Sequence, residues 1–186
     1  GSATIIISAT NISANEGGAG AGANAVWAET GGEVSIKNLS RLTLSTDQED
    51  VDDVDDAHAI RNVGGKITIG GGTSGTVEIS SVHRGAISST GDSSALTNIS
   101  AKKIAITSAI SNTFNSSSYK SAAVFVRQGQ VILNASDSLS ITAVDKAEKT
   151  RFVDAIHVDD NMALTISAKT AVVSGTTLVD RGSTMS

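Results

Sequence analysis

The feature that most constrains this chain is a repeated pair of short apolar triplets, in which polar residues alternate with Val, Ile or Leu. The pairs are Val34-Ser35-Ile36 with Leu42-Thr43-Leu44, Ile67-Thr68-Ile69 with Val77-Glu78-Ile79, Val131-Ile132-Leu133 with Leu139-Ser140-Ile141, and Leu164-Thr165-Ile166 with Val172-Val173-Ser174. A weaker copy pairs Asn98-Ile99-Ser100 with Ile104-Ala105-Ile106. A period in the range of roughly 20–50 residues is typical of stacked structural repeats.

Alternation of period two predicts strands with one buried face. We expect the apolar members of the triplets to point into a shared core, with the intervening polar residues in water. The inward set is Val34, Ile36, Leu42, Leu44, Ile67, Ile69, Val77, Ile79, Ile104, Ile106, Val131, Leu133, Leu139, Ile141, Leu164 and Ile166. No segment shows the spacing of an amphipathic helix, which argues against a solenoid of alternating strands and helices.

A polar segment without periodicity follows each second triplet and is predicted to be a loop. These loops are Thr10 to Asn24, Thr46 to Asp56, Ser81 to Ser94, Ser111 to Ser121 and Asp145 to Asp154. A third short strand is predicted after each loop, at 25–28, 57–60, 95–97, 122–126 and 155–158. Tight turns at Gly31-Gly32, Gly64-Gly65, Gln128-Gly129 and Asp160-Asn161 then lead to the next copy, because such residues tolerate a positive φ.

Three short strands per period, stacked in parallel, predict an all-β fold: a right-handed single-stranded parallel β-helix of about five coils. We treat residues 1–186 as one β-helix fragment of a longer repeat domain, with Gly1-Ser2 as a cloning scar. The absence of proline is consistent with a chain made mostly of paired strands.

Composition excludes several classes of function. The net charge of −5 and scattered basic residues offer no footprint for nucleic acid. No apolar run approaches the roughly 20 residues of a membrane-spanning helix. The chain has no cysteine, which excludes disulfides and thiolate metal sites.

The strongest local feature is an acidic segment at 47–56, which holds seven of the 19 acidic residues. They are Asp47, Glu49, Asp50, Asp52, Asp53, Asp55 and Asp56. The segment is interpreted in three ways: a solvated loop that resists aggregation, a docking site for a cationic partner, or a Ca²⁺ site. No calcium-loop spacing is present, so we expect no cofactor, with Ca²⁺ at this segment as the alternative.

Aromatic residues are few. Phe114, Tyr119 and Phe152 fall in predicted loops, where they would either form a ligand platform or fasten the loops to the body. Trp27 and Phe125 fall in predicted third strands, and we expect them to pack in the core or at corners.

The candidate catalytic group comprises His157, Asp159, Asp160 and Arg127. Paired carboxylates beside a basic residue can cleave a glycosidic bond by acid–base chemistry. The competing interpretation is that these residues sit solvated at a corner.

Three copies carry a resemblance to a known family: Gly32-Glu33-Val34-Ser35-Ile36, Gly65-Lys66-Ile67-Thr68-Ile69 and Gly129-Gln130-Val131-Ile132-Leu133. Together with the Ala-Ile-His-Val run before a turn and the lack of cysteine, they resemble the passenger domains of bacterial type V autotransporters. The resemblance implies a β-helix exported to the surface of a Gram-negative-type bacterium, or secreted from it.

The resemblance also implies a non-enzymatic adhesin segment that mediates attachment or self-association, as in biofilms. Its partner would be a glycan or protein of a host or bacterial surface, or a second copy, contacted through loops on one flank. The expected contact residues are the acidic segment, Phe114, Tyr119 and Phe152. The alternatives are a polysaccharide lyase or hydrolase and a structural stalk.

Overall fold

The structure is a computed structural model that describes the backbone of residues 4–8 and 11–16. It describes backbone and side chains of residues 24–37, 40–46, 58–70, 75–82, 84–110, 122–145, 147 and 153–186. In these ranges every regular element is a β-strand. None of them contains a helix with the length and apolar character needed to span a membrane.

Sixteen strands follow one another along the described part of the chain. They are β1 (Thr4–Ser8), β2 (Asn11–Glu16), β3 (Val26–Glu29), β4 (Glu33–Lys37), β5 (Arg41–Thr46), β6 (Ile60–Val63), β7 (Lys66–Ile69), β8 (Thr76–Ser81), β9 (Ile87–Thr90), β10 (Leu96–Ile110), β11 (Val124–Val126), β12 (Gln130–Asp145), β13 (Asp154–Val158), β14 (Ala163–Ser174), β15 (Thr176–Val179) and β16 (Thr184–Met185).

The strands form two parallel sheets, which wind as a solenoid. The first sheet has the order β1-β4-β7-β10-β12-β14-β16, with β2, β5 and β8 pairing beside this path and joining it at β10. The second sheet has the order β15-β13-β11-β9-β6-β3. The all-β parallel β-helix predicted from the repeat is therefore confirmed.

The core consists of columns, by which we mean residues at the same register position in successive strands of one sheet. One column of the first sheet runs Leu44, Ile79, Ile106 and Ile141, and these side chains are almost fully buried. All sixteen residues predicted to face inward lie in the core cluster or pack against it, with Ile166 only partly buried. Each fully buried aliphatic side chain stabilises the fold by roughly 1.5–3 kcal/mol.

The first and second strands of a repeat are separate in the early part of the chain but merge later. β10, β12 and β14 each run through the polar step that the sequence predicted to be a break. The pairing of β10 with β12 shifts register between Ala101 and Lys103, and β12 with β14 between Ala135 and Ser138. A bulge of this kind bends a strand without ending it, so the prediction of three short strands per coil fails for these repeats.

The predicted turns adopt the expected backbone conformation. Gly31, Gly64 and Gly129 have φ of 76°, 80° and 75°, and Asn161 occupies the equivalent turn with φ of 62°. Asparagine tolerates this left-handed region better than most residues, since its short side chain can bond locally. These turns connect each strand of the second sheet to the next strand of the first.

The strand and loop boundaries predicted between β8 and β10 are wrong. The segment Ser81 to Ser94 was expected to be a loop, but it contains β9, and residues 96–97 begin β10 instead of ending a third strand. Ile87 aligns with Ile60 and Val124 in the second sheet and is fully buried. The run Ile87-Ser88-Ser89-Thr90 has only one large apolar residue, so alternation alone did not reveal it.

A polar network joins successive turns around Asp92. Its carboxylate accepts hydrogen bonds from the hydroxyl and backbone N–H of Ser94 and, at 3.1 Å, from the Thr30 hydroxyl. The Ser94 bonds, with a smaller contribution from Thr30, hold the pKa of Asp92 below its ordinary value. The ionised form is therefore favoured in the folded protein.

This pKa shift predicts a pH dependence. The ionised Asp92 carboxylate stabilises the fold at pH values above the carboxyl pKa of the unfolded chain. This stabilisation is lost as the pH falls through the lower pKa that Asp92 has in the folded protein. Ser94→Ala should therefore lower the free energy of unfolding at neutral pH more than at about pH 2, well below the ordinary carboxyl range. Urea unfolding at both pH values measures this, with Ser93→Ala as the matched control. Equal losses at the two pH values would contradict the prediction.

Candidate functional site

None of the residues predicted to contact a partner lies in the described part of the chain. The acidic residues Asp47, Glu49, Asp50, Asp52, Asp53, Asp55 and Asp56 and the aromatics Phe114, Tyr119 and Phe152 all fall outside the described residues. Their proposed roles, including Ca²⁺ binding, stay predictions. The structure does describe the strand ends from which these segments leave and to which they return.

The departure points of the segments lie side by side. Thr46, Ser81 and Ser108 form one buried column at the ends of β5 and β8 and near the end of β10. Neighbouring strands in a sheet lie about 4.8 Å apart, so consecutive departure points are separated by about that distance.

The return points are aligned as well. Ile60, Ile87, Val124 and Ile156 form one column of the second sheet, at or near the starts of β6, β9, β11 and β13. His58 helps to fix them, because its Nδ1 lies 2.8 Å from the Gly85 carbonyl oxygen. The segments between the two sheets therefore leave and return along one flank of the solenoid.

The outer face of the second sheet carries another column. It runs Trp27, Arg61, Ser88, Phe125, His157 and Leu178. Trp27 is 47% exposed, and the Arg61 guanidinium lies 5.0 Å from its ring centroid. The expectation that Trp27 packs in the core or at a corner is wrong, since it lies within β3 and alternates with the inward Val26 and Ala28.

His157 is the centre of a compact polar group on this face. Its Nε2 lies 3.0 Å from an Asp159 carboxylate oxygen and 3.3 Å from an Asp180 carboxylate oxygen. The imidazole is fully buried, whereas the two carboxylates are 25% and 35% exposed. The Phe125 ring meets the imidazole edge-on at 5.4 Å between centroids, which covers it from the neighbouring strand.

Backbone pairing positions the two carboxylates. Val158 and Val179 are partners in the second sheet, and Asp159 and Asp180 follow them directly. The backbone N–H of Asp180 donates to the Val158 carbonyl at 2.9 Å. Ser183 then ties the two turns together, since its hydroxyl donates to the Asp159 carbonyl. The carboxylates therefore come from equivalent positions of successive strands and meet at one imidazole.

This arrangement can do two things chemically. A protonated Nε2 can donate to both carboxylates, which makes a charge-assisted bridge between β13 and β15. Alternatively, a neutral imidazole and two carboxylates can ligate a divalent cation, since the three donor atoms all lie within 4.8 Å of one another. The charge-assisted bridge and the bound cation would each hold the turn after β15 against the turn after β13.

The sequence predicted part of this group. His157 and Asp159 come together as the catalytic hypothesis required, but Asp160 is exposed in the turn. Arg127 is also exposed, at the corner after β11. Asp180 was missed, although Leu178-Val179-Asp180 repeats the pattern of His157-Val158-Asp159 one strand later.

Comparisons of the chain with family models, with curated proteins and with solved structures found no match.

Proposed function

We propose that this chain is a segment of a cell-surface adhesin that attaches to a surface glycan or protein, or to a second copy of itself. In this proposal the β-helix winds right-handed with about five coils, as in the autotransporter passenger domains that the repeat resembles. It is displayed at the surface of a Gram-negative-type bacterium or secreted from it, and it is not an enzyme.

The observation that carries the proposal is the alignment of the departure and return points along one flank. The column Thr46-Ser81-Ser108 and the column Ile60-Ile87-Val124-Ile156 give departure and return points at intervals of about 4.8 Å along the solenoid. A rigid ladder that presents many weak contacts at fixed spacing gains affinity through multivalency. Contact through this flank is therefore the use that the geometry favours.

The distribution of charge also favours contact through this flank of the solenoid. On the outer face of the first sheet, Arg41 pairs with Glu78 at 2.7 Å and Lys66 pairs with Glu33 at 3.2 Å. These exposed pairs neutralise charge locally and add little stability. The acidic segment at 47–56 carries seven negative charges against a net charge of −5, so it dominates the electrostatic field of the chain.

The acidic segment provides the test. A variant with all seven carboxylates of 47–56 changed to amides should associate about tenfold more slowly with an array of glycans and matrix proteins at low salt. Deleting residues 48–55 should have the same effect on attachment and on self-association, measured by analytical ultracentrifugation.

A control variant removes surface charge elsewhere. This variant combines Glu29→Gln, Asp137→Asn and Asp160→Asn. It removes negative charges that lie outside the acidic segment and should leave attachment unchanged. Attachment that persists after both changes to 47–56 would remove this segment from the proposal.

The polysaccharide lyase or hydrolase remains a second candidate because His157 and Asp159 lie 3.0 Å apart on an outer face, beside the Asp180 carboxylate. Two carboxylates beside one another are the minimum that acid–base cleavage of a sugar polymer needs. Release of reducing ends from a panel of polyuronides, lost in Asp180→Asn, would favour this candidate over the adhesin. The stalk alternative predicts no attachment and no such release.

A further inference from the structure

The group formed by His157, Asp159 and Asp180 combines two kinds of metal ligand. It offers one imidazole nitrogen and two carboxylates, which is the donor chemistry that Zn²⁺ and neighbouring first-row ions accept. Ca²⁺ prefers six to eight oxygen ligands, so a nitrogen at the centre of the group disfavours it.

The distances agree with a shared ion. With bonds of about 2.0–2.2 Å to nitrogen and oxygen, two ligands of a tetrahedral ion lie about 3.3 Å apart. The His157 Nε2 lies 3.0 Å from the Asp159 carboxylate oxygen and 3.3 Å from that of Asp180. The three donor atoms all lie within 4.8 Å of one another, so small movements of the side chains would bring them to the distances of a shared ion.

The strand register supplies a second argument. Asp159 and Asp180 follow the paired residues Val158 and Val179, which places two negative charges beside one another on adjacent strands. Like charges at neighbouring positions of a sheet repel, so a cation held between the two carboxylates would relieve this repulsion. The imidazole of His157 is fully buried and directs its Nε2 at both carboxylates.

The group is also prepared for binding before any ion arrives. Backbone bonds from Asp159 to Val126 and from Asp180 to Val158, each 2.9 Å, hold the two residues in register. Phe125 packs edge-on against the imidazole and restricts its orientation. Ligands held in this way lose little conformational freedom on binding.

We propose that His157, Asp159 and Asp180 form a binding site for a divalent transition-metal ion of the Zn²⁺ type, which links β13 to the turn after β15. The fourth position of the ion faces the outer surface of the second sheet, where the carboxylates are partly exposed. The ion holds successive strands together. Its binding does not depend on the proposed attachment through the segments that link the first sheet to the second.

The test uses the full chain, freed of metal with a chelator and titrated with ZnCl₂ by isothermal calorimetry. We expect saturable binding of about one ion per chain, and an affinity at least about tenfold lower in Asp180→Asn. Hydrogen exchange should slow for the backbone amides of β15 when Zn²⁺ is added to the parent chain, but not to Asp180→Asn.

Asp160→Asn is the matched control, because Asp160 is an exposed carboxylate next to the group and should not alter binding. Co²⁺ provides a separate readout, since visible absorption reports its coordination, and His157→Gln should change that spectrum. Asp180 is 35% exposed, so we expect Asp180→Asn to fold even if His157→Gln does not. The calorimetric titration of Asp180→Asn then tests the proposal by itself. Absence of saturable binding below about 0.1 mM Zn²⁺ would overturn the proposal. Binding that neither variant alters would overturn it too, because the ion would then be held elsewhere in the chain.

Discussion

Gly129→Ala should lower the free energy of unfolding by about 3 kcal/mol, through backbone strain of about 1–2 kcal/mol and overpacking of about 1–3 kcal/mol. Gly129 has φ of 75°, a region that costs energy for any residue with a Cβ. A Cβ at this position would also lie 2.1 Å from the Ala95 carbonyl oxygen. That oxygen accepts the Gln130 backbone N–H at 2.8 Å, so it cannot move without weakening the contact between successive turns.

Gly182→Ala separates the two effects. Gly182 has nearly the same φ, 78°, but the nearest atom to its added Cβ is the side-chain oxygen of Asn161, which can rotate away. We expect Gly182→Ala to lose only the backbone contribution of about 1–2 kcal/mol. Urea unfolding followed by circular dichroism measures both variants. Equal losses would show that the turns of successive repeats are not in close contact at Gly129.

Leu133→Ala should lower the free energy of unfolding by about 2–5 kcal/mol, because it leaves a cavity in the core. Leu133 is fully buried and stands between Ile99 and Ile166 in its column of the first sheet. Both neighbours belong to extended, paired strands, which restricts how far they can collapse into the space.

Ile132→Ala is the matched control, since it removes the same number of atoms one residue away. Ile132 faces outward and lies between Asn98 and Thr165, so its loss should cost no more than about 1 kcal/mol. The comparison is made by urea unfolding at neutral pH. An effect of Ile132→Ala as large as that of Leu133→Ala would mean that the two faces of β12 are reversed, and the column alignment would then fail.

The column alignment also decides how the proposed adhesin works. β10 and β12 stay paired from the column of Leu133 to their ends at Ile110 and Asp145, so the points from which the next segments leave lie side by side. Attachment by many weak contacts depends on a rigid ladder, because a flexible ladder would lose conformational freedom on binding. The proposed mode of attachment therefore depends on the stability of the core.

Much of the fold could be predicted because its determinants are local. Alternation in triplets such as Ile67-Thr68-Ile69 identified the buried face of each strand, and Gly31, Gly64 and Gly129 identified the turns. The failures have a local cause as well. β9 carries a single large apolar residue, Ile87, and the merging of short strands into β10 depends on a bulge that leaves no mark in the hydrophobic pattern.

The candidate site was less accessible to sequence reasoning. His157 and Asp159 are two residues apart and could be grouped by inspection, but Asp180 is 23 residues from His157. Asp160 was included in the group because it is adjacent in sequence, yet the turn directs it into solvent. Nearness along the chain was a poor guide, since side chains on adjacent strands meet regardless of their separation in sequence.

The sequence by itself determined the buried face of most strands, the position of most turns and that the repeats stack in parallel. These properties follow from the alternation of side chains and from the φ that individual residues tolerate. Only the tertiary structure decided which repeats are neighbours in exact register, and so placed Asp180 at His157 and aligned the strand ends along one flank. The physical reason is that register depends on hydrogen bonds between strands joined by segments of unequal length, such as the single Gly175 before β15.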